Sequence, residues 1–189
     1  MLTGDEYTRL EKDALNLLID YGFIKFPINV FELARKAFNA KIIKYSTLKD
    51  EQMDLIKRCG EVLDDGFTIF EHLSDGSINY IIYYNDSKKE SRQRYTICHE
   101  MKHILYGEEC PSEKDEEGAE YFAKVLIAPK CLVILKGINS PEGIVEHFNL
   151  SYESSIYHMA GIKNRVTAYG KELFEFEIDF LKRCKSIKK

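Results

Sequence analysis

His99-Glu100-Met101-Lys102-His103 constrains this chain more than any other five residues. The segment has the form His-Glu-x-x-His and lies in a stretch that reads as helix. Residues four apart on a helix share a face, with Cβ atoms about 5–6 Å apart. Two imidazoles so placed can hold one tetrahedral ion, typically Zn²⁺, through bonds of about 2.0–2.1 Å. Glu100 projects roughly 100° around the helix from His99, towards an attacking water rather than into the ligand set. A metal, a water and a carboxylate to take its proton are what metal-assisted peptide hydrolysis needs. The apolar flanks Tyr95-Thr96-Ile97-Cys98 and Ile104-Leu105-Tyr106 suit a helix running through a core. With five histidines in the whole chain, two at this spacing argue against ordinary surface histidines.

A catalytic zinc keeps three protein ligands and leaves the fourth position open. The third ligand is expected from an element downstream. His147 and His158 qualify by type. A better-placed source is a helix over about 113–127, which opens with Glu113, Asp115, Glu116 and Glu117. An antiparallel helix after a short loop packs against the one before it. Carboxylates also suit any helix N-terminus, metal or not. Glu116 and Glu120 share a face, so one can bind the metal while the other holds a histidine's second ring nitrogen. Glu117 points elsewhere.

Around this pair of helices the pattern is mixed. Tyr7, Leu10, Ala14, Leu17 and Tyr21 repeat at helical spacing over 6–21, and Asn29 is placed to cap a second helix. Residues 41–45 read as a short strand. Residues 67–73 and 78–84 read as two more around the turn Ser74-Asp75-Gly76-Ser77. The stretch 46–60 shows no clear period. The motif helix spans about 89–106 and stops at Gly107. Pro129 ends the acidic helix. Ser140-Pro141 opens another, and Ser151 caps one running to Gly161. Residues 170–184 shift from acidic to basic as a helix does, although Phe174, Phe176, Ile178 and Phe180 alternate as in a strand.

A net charge of −4 gives no overall nucleic-acid footprint, and the basic end (Lys182-Arg183-Cys184-Lys185, Lys188-Lys189) reads as a solvated helix terminus. The acidic start Met1-Leu2-Thr3-Gly4-Asp5-Glu6 does not resemble a signal peptide, and no apolar run is long enough for a membrane span. Five irregularly spaced cysteines without a Cys-x-x-Cys pair suggest reduced thiols in a cytoplasm. Cys98 is expected to face away from His99, into the core.

The residues also resemble a known family. Tyr80-Ile81-Ile82-Tyr83-Tyr84-Asn85-Asp86 precedes Arg92-Gln93-Arg94-Tyr95-Thr96-Ile97-Cys98 and the His-Glu-x-x-His segment. Glu116-Glu117-Gly118-Ala119-Glu120-Tyr121-Phe122-Ala123 follows, ending in Leu126-Ile127-Ala128-Pro129. This order is similar to that of the ImmA/IrrE zinc metallopeptidases, most specifically over 80–129. Phe26-Pro27-Ile28-Asn29-Val30 resembles the family's opening, and Val145-Glu146-His147-Phe148-Asn149-Leu150-Ser151 its C-terminal winged-helix-like portion. The resemblance implies His99, His103 and Glu116 as zinc ligands and Glu100 as general base. Two positions depart from the pattern. Lys102 stands where the family has glycine, leaving its side chain to press on the active-site strand or to reach solvent. Glu120 stands where a smaller Asn or Asp is usual.

The expected fold is α+β: a mostly helical, zincin-like domain with a small three-stranded antiparallel sheet (residues 1–135) and a C-terminal helical, helix-turn-helix-like portion (136–189). The expected activity is zinc-dependent endopeptidase, with Glu120 behind the ligands and Tyr152, Tyr157 or His158 supporting the oxyanion. The peptide is expected to add as a strand along the hairpin edge near 78–84. The resemblance implies a protein substrate, a helix-turn-helix repressor of a mobile element or stress operon. The charge pattern and the lack of a long apolar run lead to the expectation of no direct nucleic-acid or membrane binding. The competing expectation is a non-catalytic regulatory or antitoxin-like module that keeps a structural zinc site.

Overall fold

Thr3 sets the first helix. Its hydroxyl accepts from the backbone N–H of Glu6 at 3.3 Å, and the Glu6 carboxylate accepts from the N–H of Thr3 at 2.9 Å. This reciprocal cap starts α1 (Gly4–Asp20) two residues earlier than the apolar spacing suggests. The computed structural model describes residues 1–58 and 64–186. Among these, no helix is long and apolar enough to cross a membrane.

The described chain divides into two compact units, residues 30–119 and residues 1–29 with 120–189. The first unit holds α2 (Val30–Phe38), β1 (Lys41–Lys44), α3 (Asp50–Arg58), β2 (Gly66–His72), β3 (Ile78–Tyr84), α4 (Glu90–Tyr106) and the start of α5 (Glu113–Ile127). α3 occupies much of the stretch whose sequence shows no period; residues 59 and 60 lie outside the described chain. The β2–β3 hairpin turns at Gly76 (φ +85°), where Asp75 accepts from the N–H and the hydroxyl of Ser77.

The sheet is mixed, which corrects the antiparallel expectation. Its order is β1-β3-β2, with β2 antiparallel to β3 and β1 parallel to it (Lys41 opposite Ile81, Lys44 opposite Tyr84). The route from β1 to β3 passes through α3 and β2, and a crossover of that kind is what permits a parallel pair. β3 is therefore the middle strand. Its inward residues Ile82 and Tyr84 are buried, and α4 packs against the same sheet and against α2.

α4 ends where the sequence says. Gly107 takes the left-handed conformation (φ +67°) that closes a helix at lowest steric cost. Ile97, Cys98 and Met101 are fully buried. Burial pushes the Cys98 thiol up to about 12, so it is an inert core residue, as its position opposite His99 suggests.

The second unit is helical: α1, the remainder of α5, α6 (Lys130–Leu135), α7 (Pro141–Phe148), α8 (Tyr152–Tyr169) and α9 (Glu175–Ser186). α8 runs through Gly161 to Tyr169, well past the expected stop. α9 settles the ambiguous C-terminal pattern as helix. It buries Phe180, Leu181 and Glu177, and the Glu177 carboxylate accepts from Arg165 Nη2 at 2.6 Å.

His158 on α8 is buried, and its Nε2 donates to the Ala128 carbonyl at 2.7 Å. Burial, with Lys130 and Lys124 nearby, holds its pKa down to about 3, against 6.5 when exposed. The unfolded chain therefore takes up a proton below pH 6.5 that the folded chain refuses. The stability linked to His158 is complete above pH 6.5 and drains away as the pH falls towards 3, by about 1.4 kcal/mol per pH unit. His158→Gln, which keeps a donor for Ala128, is expected to flatten this acid limb in urea unfolding between pH 7 and 5. Parallel losses in both proteins would exclude His158 as the cause.

Candidate active site

α4 carries His99 and His103 on one face, and their Nε2 atoms lie 3.1 Å apart. α5 brings Glu116 to the same point. Its Oε2 is 2.9 Å from His99 Nε2 and its Oε1 is 3.6 Å from His103 Nε2. Ser112 opens α5, its hydroxyl accepting from the Asp115 N–H while its own N–H donates to the Asp115 carboxylate. That local cap fixes the first turn on which Glu116 sits.

The donors fit a tetrahedral ion. Bonds of about 2.0–2.1 Å at a tetrahedral centre separate the ligand atoms by about 3.3 Å. The three observed separations bracket that value. Protonation points the same way. His103 Nδ1 lies 2.8 Å from Glu108 Oε2, and a carboxylate accepts, so Nδ1 carries the proton. His103 Nε2 then turns a lone pair towards the shared centre. A hydrogen bond with His99 holds the Glu116 carboxyl below the usual range, against the effect of burial, so it is ionised and able to ligate. Among the described residues, His99, His103 and Glu116 form the His/Cys/Asp/Glu group able to share one ion.

Glu100 stands beside this group. It is 7% exposed, and Thr68 on β2 donates its hydroxyl to Glu100 Oε2 at 2.8 Å. Burial raises its carboxyl above the usual range, against the pull of His99 and the Thr68 hydrogen bond. Glu100, Thr68 and the three donors line one cavity of about 320 Å³, walled by Gly66, Phe67 and Phe70 of β2 and closed by Glu109 and Pro111.

β2 lies close on α4 because residue 66 is glycine. A Cβ there would stand 2.5 Å from the Tyr83 carbonyl oxygen and 2.6 Å from Thr96 Cγ2. Gly66→Ala is expected to force the strand away from the helix, costing about 1–3 kcal/mol and loosening the Thr68–Glu100 bond. A urea midpoint unchanged from wild type would show that β2 shifts freely.

Two further residues complete the site. Glu108, the first residue beyond Gly107, holds the outer nitrogen of His103. Lys102, whose side chain was expected on the strand or in solvent, is buried instead. Its ammonium donates to both Glu108 oxygens at 2.6 Å and to the Asp115 carbonyl at 2.9 Å. The lysine thus ties the α4–α5 loop to the helix. The role expected of Glu120 falls to Glu108. Glu120 is exposed and reaches Lys124, 4.0 Å away, one turn further along α5.

The oxyanion candidates lie in the helical unit. Tyr152 is exposed and hydrogen-bonded to Glu142. His158 has committed a nitrogen to Ala128, and it lines a different cavity with Tyr157. His147, a third-ligand candidate by type, is exposed, with Nδ1 against the Gly143 carbonyl. Along the sheet, β3 is paired on both sides over Ile81–Tyr84, so the outer strand lining the cavity is β2 and not the 78–84 segment.

No match emerges among curated proteins. The family model of the IrrE N-terminal-like domain, Peptidase M78, matches residues 35–159. That span is most of the chain and includes every residue lining the metal-donor cavity. The chain therefore belongs to this metallopeptidase-type family, and its His99, His103 and Glu116 are positioned to bind a metal.

Proposed function

We propose that the protein is a zinc-dependent endopeptidase that cuts a regulatory protein, a helix-turn-helix repressor of a mobile element or stress operon. The observation that carries the enzymatic reading is the buried Glu100, locked by Thr68 beside a three-donor group with the imidazole–carboxylate composition of a catalytic zinc site. The repressor rests on the family resemblance.

A zinc ion held by His99, His103 and Glu116 supplies Lewis acidity to the scissile carbonyl and to the attacking water. The protein does the rest. An extended peptide pairs with the outer edge of β2, whose backbone groups set its register across the cavity. Glu100 takes the proton of the attacking water on Oε1, because Thr68 occupies Oε2. It then passes that proton to the leaving amine. Burial suits it to both steps by bringing its affinity for a proton closer to that of its partners. Glu108 keeps the His103 ring facing inward.

Profiling new N-termini in cells that express wild type or Glu100→Gln tests this reading. The expected result is a cut within a helix-turn-helix protein that appears with wild type alone. An absence of any Glu100-dependent cut would remove the enzymatic reading and favour a binding module.

A further inference from the structure

The helical unit contains a cavity of about 440 Å³ that the peptidase chemistry does not use, bounded by α1, α5, α6 and α8. Its floor is polar and internally paired. Lys130 donates to Glu11 Oε1 at 2.7 Å, and the Tyr121 hydroxyl donates to the same carboxylate. Above that floor two cations lack a full set of partners. Arg165 is 8% exposed. Its Nη2 serves Glu177 and the Glu172 carbonyl, but Nε and Nη1 are buried without a hydrogen-bond partner among the described residues. Lys124 keeps 18% of its side chain exposed, and its ion-pair partner Glu120 is 4.0 Å away and largely in solvent. Burial lowers the pKa of Lys124, with Lys130 adding to the effect and Glu120 opposing it.

The cations of this cavity differ in how firmly they are held. Glu11 answers Lys130 and Glu177 answers Arg165 at close range, whereas among the described residues Lys124 pairs with the largely solvated Glu120 across 4.0 Å. An anion entering the cavity would meet Lys124 with little to displace. The walls state what that anion is attached to. Tyr157 and Tyr169 line the opening at 67% and 61% exposure, and Phe174 lies beneath the Arg165 guanidinium, 5.2 Å from ring centroid to Cζ. Rings of this kind favour a flat partner. Gly161 faces the same space from the middle of α8. A Cβ there meets nothing within 4 Å, so no neighbour requires glycine at a position where a helix disfavours it. The volume falls within the range of small-molecule sites.

We infer that this cavity binds a small organic anion, a carboxylate or phosphate carried on a flat, ring-sized group. Lys124 and Arg165 meet the charge and the tyrosines stack on the ring. The site belongs to the helical unit, and its occupancy is independent of metal at His99, His103 and Glu116.

Titrating the full chain with benzoate, phenyl phosphate and the neutral benzyl alcohol, followed by amide NMR, tests the inference. Amides of α5 and α8 around the cavity are expected to shift with the two anions at millimolar concentration. Lys124→Gln should weaken both by about tenfold or more. Gly161→Leu should abolish binding while unfolding at or above the wild-type temperature, because it fills open space and improves the helix. Tighter binding of phenyl phosphate points to a phosphate ligand, and of benzoate to a carboxylate. The inference is overturned if neither anion binds, if benzyl alcohol binds as well as they do, or if both variants bind like wild type.

Discussion

Glu100→Gln is expected to leave metal binding intact and to lower kcat by about two to four orders of magnitude. The amide matches the carboxylate in size and can still accept the Thr68 hydroxyl, so the α4–β2 contact survives. What disappears is a basic oxygen beside the three donors. Because the side chain is buried, bulk water cannot substitute for it efficiently. The expected signature is a fall in kcat and kcat/KM together with little change in KM, since the lost interaction exists only in the transition state. A variant that keeps full activity would place the proton transfer elsewhere.

Lys102→Ala is expected to be the most disruptive single change outside the ligands. The Lys102 and Glu108 side chains are 4% and 14% exposed, and the pair is bound through both carboxylate oxygens. Removing the ammonium leaves a carboxylate in a poorly hydrated place next to His103, which costs about 3–5 kcal/mol. Metal affinity should fall by about 10–100-fold, because Glu108 no longer holds the ring in place. The double variant Lys102→Met with Glu108→Leu separates the two effects. Replacing both partners should restore much of the stability, yet leave metal affinity low because His103 Nδ1 has lost its acceptor. Full recovery of metal affinity in the double variant would show that Glu108 does not orient His103.

The core of the site was legible in the sequence because one helical period carries it. The spacing of His99, Glu100 and His103 determines their directions once the segment is a helix, and the resemblance then singled out Glu116. Glu108 was not legible. It follows a left-handed Gly107, and where such a residue points depends on how the loop returns to α5. Glu120 shares a face with Glu116 but lies one turn further along α5, where Lys124 is a neighbour 4.0 Å away.

The fold divides similarly. The hairpin was readable from its own turn, whereas the parallel pairing of β1 with β3 is a long-range choice that no local pattern encodes. α6 was overlooked because six residues after Pro129, four of them buried, show neither a polar face nor a full period. Gly161 reads as a helix stop but lies within α8, facing open space.

Titration of metal-free protein with zinc, in wild type and in His99→Ala, Glu116→Ala and Glu100→Gln, tests the central claim most directly. The three-donor site predicts about one ion per chain in wild type and in Glu100→Gln, with affinity lost or severely weakened in the other two. Wild type that takes up no zinc, or Glu100→Gln that loses it while Glu116→Ala retains it, would contradict the division of roles between these side chains.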